Sequence, residues 1–110
     1  MELTTRDYKR CTVIRVIGRV DAATAPQFEA RLHDQIKADH TWLVLEMDAT
    51  DYMSSAAVRA LISAQKTLRG KGGGVILAQP SDRVKEIIQI AGMEALFPIY
   101  STTEAAMGSI

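Results

Sequence analysis

The chain has 110 residues, 47% of them hydrophobic and only 5% aromatic, which supports one small domain with an aliphatic core. Thirteen Lys and Arg residues balance thirteen Asp and Glu, and a net charge of zero argues against nucleic acid or an anionic membrane as the main partner, since both select a basic face. One cysteine, Cys11, has no second thiol to pair with, and the polar N-terminus MELTTRDYKR lacks the apolar stretch of a signal peptide, so the cytoplasm is the expected compartment.

Met1–Tyr8 is polar and weakly patterned and reads as an edge strand, a candidate for antiparallel pairing. Thr12–Ile17 (TVIRVI) is β-branched and nearly all apolar, the mark of a central strand buried on both faces. The first helix is expected to open at Thr24, where Thr24-x-x-Gln27 fits a capping box and Pro26 suits the first turn. Phe28, Leu32 and Ile36 recur every four residues and give it one apolar face. Trp42–Met47 is the next buried strand. Val58, Leu61, Ile62, Gln65 and Leu68 follow at helical spacing, with Gly70 as the stop. Val75–Ala78 is a third apolar strand. Ser81 caps another helix, with Val84, Ile87, Ile88 and Ala91 on one face and Gly92 at its end. Leu96–Tyr100 reads as a last short strand, placed at an edge by Pro98. Ser101-x-x-Glu104 is a second capping box before a short terminal helix.

Strands that alternate with helices predict βα units, mainly parallel pairing and right-handed crossovers. The expected fold is a single α/β domain over residues 1–110, a mixed, mostly parallel sheet of about five strands packed with about four helices. No apolar run approaches the ~20 residues that span a bilayer. Sheets of this kind present functional groups at the carboxyl ends of strands, and DYMSSAA, residues 51–57, sits at such an end.

Several familiar chemistries fail on their own terms. GKGGG, residues 70–74, lacks the Gly-x-x-x-x-Gly-Lys-Ser/Thr pattern and precedes a strand, whereas a phosphate cradle opens a helix; it reads as a flexible turn. Ser54 and Ser55 are flanked by Met53 and Ala56, without the glycines of a nucleophile elbow. His33 and His40 read as solvated surface residues, and with Cys11 they show no metal-ligand spacing. A phosphoaspartate receiver would set Asp48 and Asp51 against a lysine near the last strand, and LFPIY has none. No catalytic constellation remains.

The two adjacent serines are the distinctive feature. Ser54 fits a helix N-cap, and on the simplest reading both serines do nothing more than start a helix. On the functional reading, Ser55 exposes its hydroxyl at the helix's positive end, where a phosphate of roughly −1.5 to −2 charges is tolerated by free N–H groups and the helix dipole. Met53, Ala56 and Val58 are then expected to surround that hydroxyl as a small apolar contact surface that a dianion would disrupt. Arg59, one turn on, fits either a partner contact or an ordinary solvated position.

The segments VIGRVDAATAPQFEARL and LVLEMDATDYMSSAAVRALISAQKTLRGKGGGVILA, with the closing MEALFPIYSTTEAA, resemble the STAS domains of bacterial anti-sigma factor antagonists over nearly the whole chain. The resemblance implies a STAS-like fold and a cytoplasmic regulator of transcription that is not an enzyme and needs no cofactor. Its unphosphorylated form would bind an anti-sigma factor, often itself a serine kinase, and so free a sigma factor, for example under stress. The kinase would use its own ATP to phosphorylate one serine and end the contact, and a PP2C-type phosphatase would restore it. Position by position, the family's Asp-Ser-(Ser/Thr/Ala)-Gly motif falls on Ser54-Ser55-Ala56-Ala57, which makes Ser55 the phosphoacceptor. Ser54 stands where many members have Asp, Ala57 where most have Gly, and Glu46 where an Asp is usual at the end of its strand. Asp21 in GRVDAAT matches the family acid whose loop lies beside the phosphosite. Asp21, Met53, Ser54, Ala56, Ala57, Val58 and Arg59 are thus the expected shaping and contact residues around Ser55. Members are commonly monomeric when free. Similar STAS domains also dock as small subunits on membrane-associated, lipid-transport type ATPase assemblies, an alternative in which Ser55 stays unmodified.

Overall fold

The computed structural model describes all 110 residues, Met1–Ile110. β1 (Glu2–Asp7) turns back into the long β2 (Thr12–Val20), and the two pair antiparallel from Glu2↔Ile17 to Asp7↔Thr12. There follow α1 (Ala25–Lys37), β3 (Trp42–Glu46), β4 (Thr50–Met53), α2 (Ser55–Arg69), β5 (Gly74–Ala78) and α3 (Asp82–Ile90). A 3-10 turn (Glu94–Leu96), β6 (Ile99–Tyr100) and α4 (Thr103–Gly108) complete the chain. The main sheet runs β1-β2-β3-β5-β6 and is parallel from β2 onward, the α/β arrangement expected, with the polar strand antiparallel at one edge.

β4 is an addition to the sequence reading, since TDYM is too short to establish a strand period. It pairs parallel with β2 alone, at Gly18↔Thr50, Arg19↔Tyr52 and Val20↔Met53. β2 therefore serves two partners in succession: β3 along Thr12–Arg15, then β4 along Gly18–Val20, with a register break between Gly18 and Arg19. Gly18 holds φ +90°, which costs little only without a Cβ, and its N–H donates to the Ala49 carbonyl at 2.9 Å. The buried Thr50 hydroxyl donates to the Val16 carbonyl at 2.7 Å and pins the branch.

Strand alternation divides the core in two. Ile14, Val16, Leu43, Leu45, Val75 and Leu77 join residues of α1, α2 and α3 in a cluster of 22 buried side chains, whereas Val13, Val44, Ile76 and Ala78 meet Ala106 of α4 in a cluster of six. Both faces are covered, which is why these strands read as continuous apolar runs. Cys11 belongs to the smaller cluster, and burial pushes its thiol pKa up, away from thiolate chemistry. Phe28, Leu32 and Ile36 are buried as their spacing predicts. Gln65 is buried too; its amide donates to the Val75 and Leu96 carbonyls and accepts from the Val75 N–H, tying α2 to β5 and the 3-10 turn.

Several element ends correct the sequence reading. Thr24 precedes α1 but makes no cap bond, because its hydroxyl is engaged with Asp21, so Thr24-x-x-Gln27 is not a capping box. α4 is capped by the extended Thr102, whose hydroxyl accepts from Ala105 N–H, and not by Ser101. Gly70 does follow α2, yet it stays right-handed; the left-handed residue that turns the chain is Gly72. The glycine turn is tight where flexibility was expected: a Cβ on Gly73 would lie 1.8 Å from the Thr41 carbonyl oxygen. Ala91 is exposed, leaving Val84 and Ile88 as the buried face of α3, and the last strand shrinks to two residues after Leu96 enters the 3-10 turn. His33 is exposed as expected, whereas His40 is half-buried, with Nδ1 2.7 Å from Gln35 Oε1 and 2.9 Å from Thr12 Oγ1.

One charge lies inside. Glu46, 6% exposed at the end of β3, accepts from Arg15 at 3.0 Å, from Arg6 at 3.2 Å and from the Thr103 hydroxyl, so one carboxylate joins β1, β2, β3 and α4. Burial alone would push the Glu46 carboxyl up, but the Thr103 hydroxyl and the two guanidiniums outweigh it and hold its pKa below the ordinary value of 4.5. Arg15 also pairs with Asp48 at 2.7 Å; that carboxyl too is driven up by burial but held lower by Arg15 and Gln79. A carboxyl with a depressed folded-state pKa takes up more protons when unfolded, so its contribution is full above the unfolded value and is lost as pH falls. The urea midpoint should therefore drop as pH falls below about 4.5, and Glu46→Gln should flatten that dependence while lowering stability at pH 7. Denaturation series of both proteins between neutral and acid pH measure it; an unchanged acid slope in the variant would contradict it.

Candidate functional site

The serine pair lies where β4 hands over to α2. Ser54 N–H donates to the Val20 carbonyl at 2.7 Å, extending the β2–β4 pairing by one bond beyond Met53. Its backbone is extended (φ −73°, ψ 167°) and its hydroxyl accepts from Ala57 N–H at 3.2 Å, an N-cap bond. α2 therefore begins at Ser55, whose exposed side chain takes no part in the cap. The N–H groups of Ser55 and Ala56 belong to the first turn, which has no intrahelical acceptors for them. That turn contains no acidic residue, while Lys66 and Arg69 occupy the last turn. The helix dipole is thus complemented at its carboxyl end and left bare where Ser55 sits.

Across the strand ends, Asp21 follows Val20 directly and organises the β2–α1 loop. Its Oδ1 accepts from Ala23 N–H and Thr24 N–H, each at 3.0 Å, and lies 3.0 Å from the Thr24 hydroxyl, which leaves Oδ2 without a protein partner. The Thr24 backbone and side-chain bonds, with Arg19 nearby, hold the Asp21 carboxyl below its ordinary pKa, so it stays ionised. A shallow groove of about 540 Å³ runs from this loop between α1 and the start of α2, lined by Ala25, Pro26, Glu29, His33 and Ala56.

Residues 2–106 match the STAS domain family. The chain belongs to it. Among curated relatives, it is 32% identical to BtrV of Bordetella bronchiseptica, whose name places it with the anti-sigma factor antagonists, over 96% of this chain and 91% of that one. It is 30% identical to the anti-sigma-B factor antagonist of Listeria monocytogenes, over 90% and 86% of the two chains. The fold is that of the anti-sigma factor antagonist SpoIIAA in its unphosphorylated form, with a TM-score of 0.85 at 23% identity over 98% of this chain and 95% of that one. The Bacillus SpoIIAA structure in the phosphorylated form superposes with a TM-score of 0.77 at 22% identity, over 98% of each chain.

Within this STAS domain the sequence-derived site residues separate into two layers. Asp21, Ser54, Ser55 and Ala56 come together at the carboxyl ends of β2 and β4, and Arg59 is exposed one turn along α2. Met53, Ala57 and Val58 are 2%, 0% and 9% exposed and belong to the larger core cluster. They support the platform from beneath, so the apolar rim expected from Met53 and Val58 is absent from the surface. Two residues missed at this site are Arg19 and Tyr52, a cross-strand pair on β2 and β4 whose guanidinium carbon lies 4.7 Å from the ring centroid. Their signal becomes readable only once β4 is known to pair with β2.

The division of labour between the serines is measurable on the isolated domain. Ser54→Ala should cost about 1 kcal/mol of unfolding free energy through loss of the cap. Ser55→Ala should change it by less than about 0.5 kcal/mol, as for an exposed residue without a structural bond. Urea denaturation reads both, and equal losses would mean that Ser55 also has a structural role.

Proposed function

We propose that this STAS domain is a cytoplasmic anti-sigma factor antagonist: unphosphorylated, it binds an anti-sigma factor and thereby releases a sigma factor, and phosphorylation of Ser55 ends that contact. The observation that carries the reading is the placement of Ser55, exposed at the first position of α2 while its neighbour Ser54 does the capping. The names of its relatives support the antagonist role, and the existence of SpoIIAA in two phosphorylation states supports a switch.

The physical asymmetry between domain and partner makes the switch work. On the domain, a phosphate at Ser55 meets free N–H groups and a bare positive helix end, worth about 0.3–1 kcal/mol at an exposed site. For a partner packed on Ala56 and the adjoining groove, the same dianion must be desolvated without a cation in place, and each 1.4 kcal/mol so lost lowers affinity about tenfold. The kinase would be the anti-sigma factor itself, which supplies ATP: the Ser55 oxygen attacks the γ-phosphorus, the bond to ADP breaks, and the hydroxyl proton passes to a base on the kinase. A PP2C-type phosphatase would reverse the modification by hydrolysis. Asp21, whose Oδ2 has no protein partner, fits a cationic or N–H contact from the partner.

Calorimetric titration with the cognate anti-sigma factor tests this. Ser55→Ala should bind as wild type yet resist switching off by the kinase and ATP. Ser55→Asp should bind at least about tenfold more weakly while keeping its melting temperature within a few degrees. Wild-type affinity in Ser55→Asp would overturn the electrostatic account and favour a constitutive docking face.

A further inference from the structure

Beside the serine platform lies a cationic feature that the phosphoswitch does not use. Tyr52, half-buried on β4, is flanked by Arg19 of β2 at 4.7 Å and by Arg83 of the first turn of α3 at 5.8 Å, each measured from the guanidinium carbon to the ring centroid. Arg19 is exposed and forms no ion pair with any carboxylate of the chain, and the Arg83 side chain is 50% exposed with only the equally open Glu86 as partner. Arg19 in this respect contrasts with Arg15, whose donors are taken by Glu46 and Asp48, while Arg83 shares its guanidinium with Glu86 on an open surface. A guanidinium near an aromatic ring is pre-organised while its N–H edge stays available to a carboxylate. The position is equally telling: Arg19 and Tyr52 are register partners, and one residue further along both strands come Val20 and Met53, immediately before Asp21 and Ser54. The pair therefore sits one residue back from the strand ends that lead into the serine platform. Tyrosine and arginine are also the residue types that concentrate binding energy at protein interfaces.

We infer that Arg19, Tyr52 and Arg83 form a second contact patch that takes an acidic segment of the protein partner. The inference rests on the proposed antagonist role for the partner's identity, but the chemistry of the patch is independent of it. Ser55 supplies the off-switch, and the arginine pair supplies attraction and partner choice. Such charges act on encounter rate and discrimination between partners, and their effect fades with salt.

Two measurements separate this inference from the antagonist reading. In the first, the isotope-labelled domain is titrated with a hexaglutamate peptide and followed by NMR. The largest shifts should fall on the Arg19 and Arg83 side-chain N–H groups and the Tyr52 ring, weaken with added salt, and vanish in the double variant Arg19→Gln, Arg83→Gln. Shifts centred on Lys66, Arg69 or Lys85, or unchanged in the double variant, overturn the patch. In the second, the cognate anti-sigma factor is titrated with Arg19→Glu, Arg83→Glu, whose fold is checked by its melting temperature; affinity should fall about tenfold or more, mainly through the association rate. Wild-type affinity there, with weakened binding by Ser55→Asp, removes the patch and leaves the switch. The reverse pattern keeps the patch and removes the switch. If the wild-type domain binds no anti-sigma factor, the antagonist reading falls and the peptide titration alone decides the patch.

Discussion

The site depends on one strand being shared. β2 is committed to β3 through Arg15 and cannot continue along it, because β3 ends at Glu46 while β2 runs on to Val20. The break at Gly18, with its positive φ, lets the second half of β2 take β4 as a new partner. Three hydrogen bonds hold that exchange: Gly18 N–H to Ala49, the Thr50 hydroxyl to Val16, and Ser54 N–H to Val20. Their consequence is positional. Asp21 leaves β2 and Ser54 leaves β4 at the same level, so a loop acid and a helix start far apart in sequence become neighbours. A side chain on Gly18 would strain the backbone that permits this, without touching either serine.

From that junction the electrostatics follow in a simple order. Ser54 satisfies one orphan N–H and fixes where α2 begins, which makes Ser55 the first helical residue and turns its hydroxyl outward. No acid stands in that turn, so the helix itself offers nothing to offset its positive end. On the proposed reading, the domain accepts charge at a place where a close-packed partner would reject it. Stability is secured elsewhere, by the two apolar clusters and by the Glu46 carboxylate that gathers β1, β2, β3 and α4, so modification of the platform need not disturb the core.

Much of this was legible in the sequence, for physical reasons that also explain what was not. Strands buried on both faces announce themselves as apolar runs, and the four-residue repeat of Phe28, Leu32 and Ile36 leaves little choice but a helix. Caps were less secure. Ser54 and Ser81 were recognisable, but Thr24 and Ser101 matched the same pattern; the first lost its role to Asp21, the second to the neighbouring Thr102. The short β4 was invisible because its pairing depends on the Gly18 break, a tertiary event with no local periodicity. The site suffered from the same gap. Ser54, Ser55 and Asp21 could be named from motif position, yet the burial of Met53 and the stacking of Arg19 on Tyr52 both follow from β4, whereas Ala57 and Val58 are buried on the same helical face as Leu61 and Leu68.

The central proposal, that Ser55 is the serine that carries a phosphate, is tested most directly by incubating the domain with its cognate anti-sigma kinase and ATP and locating the modification by mass spectrometry. The account predicts a single phosphate on Ser55, with Ser54 unmodified because its hydroxyl is held in the cap of α2. Phosphate on Ser54 or on another serine, or none under conditions where the kinase is active, would contradict it.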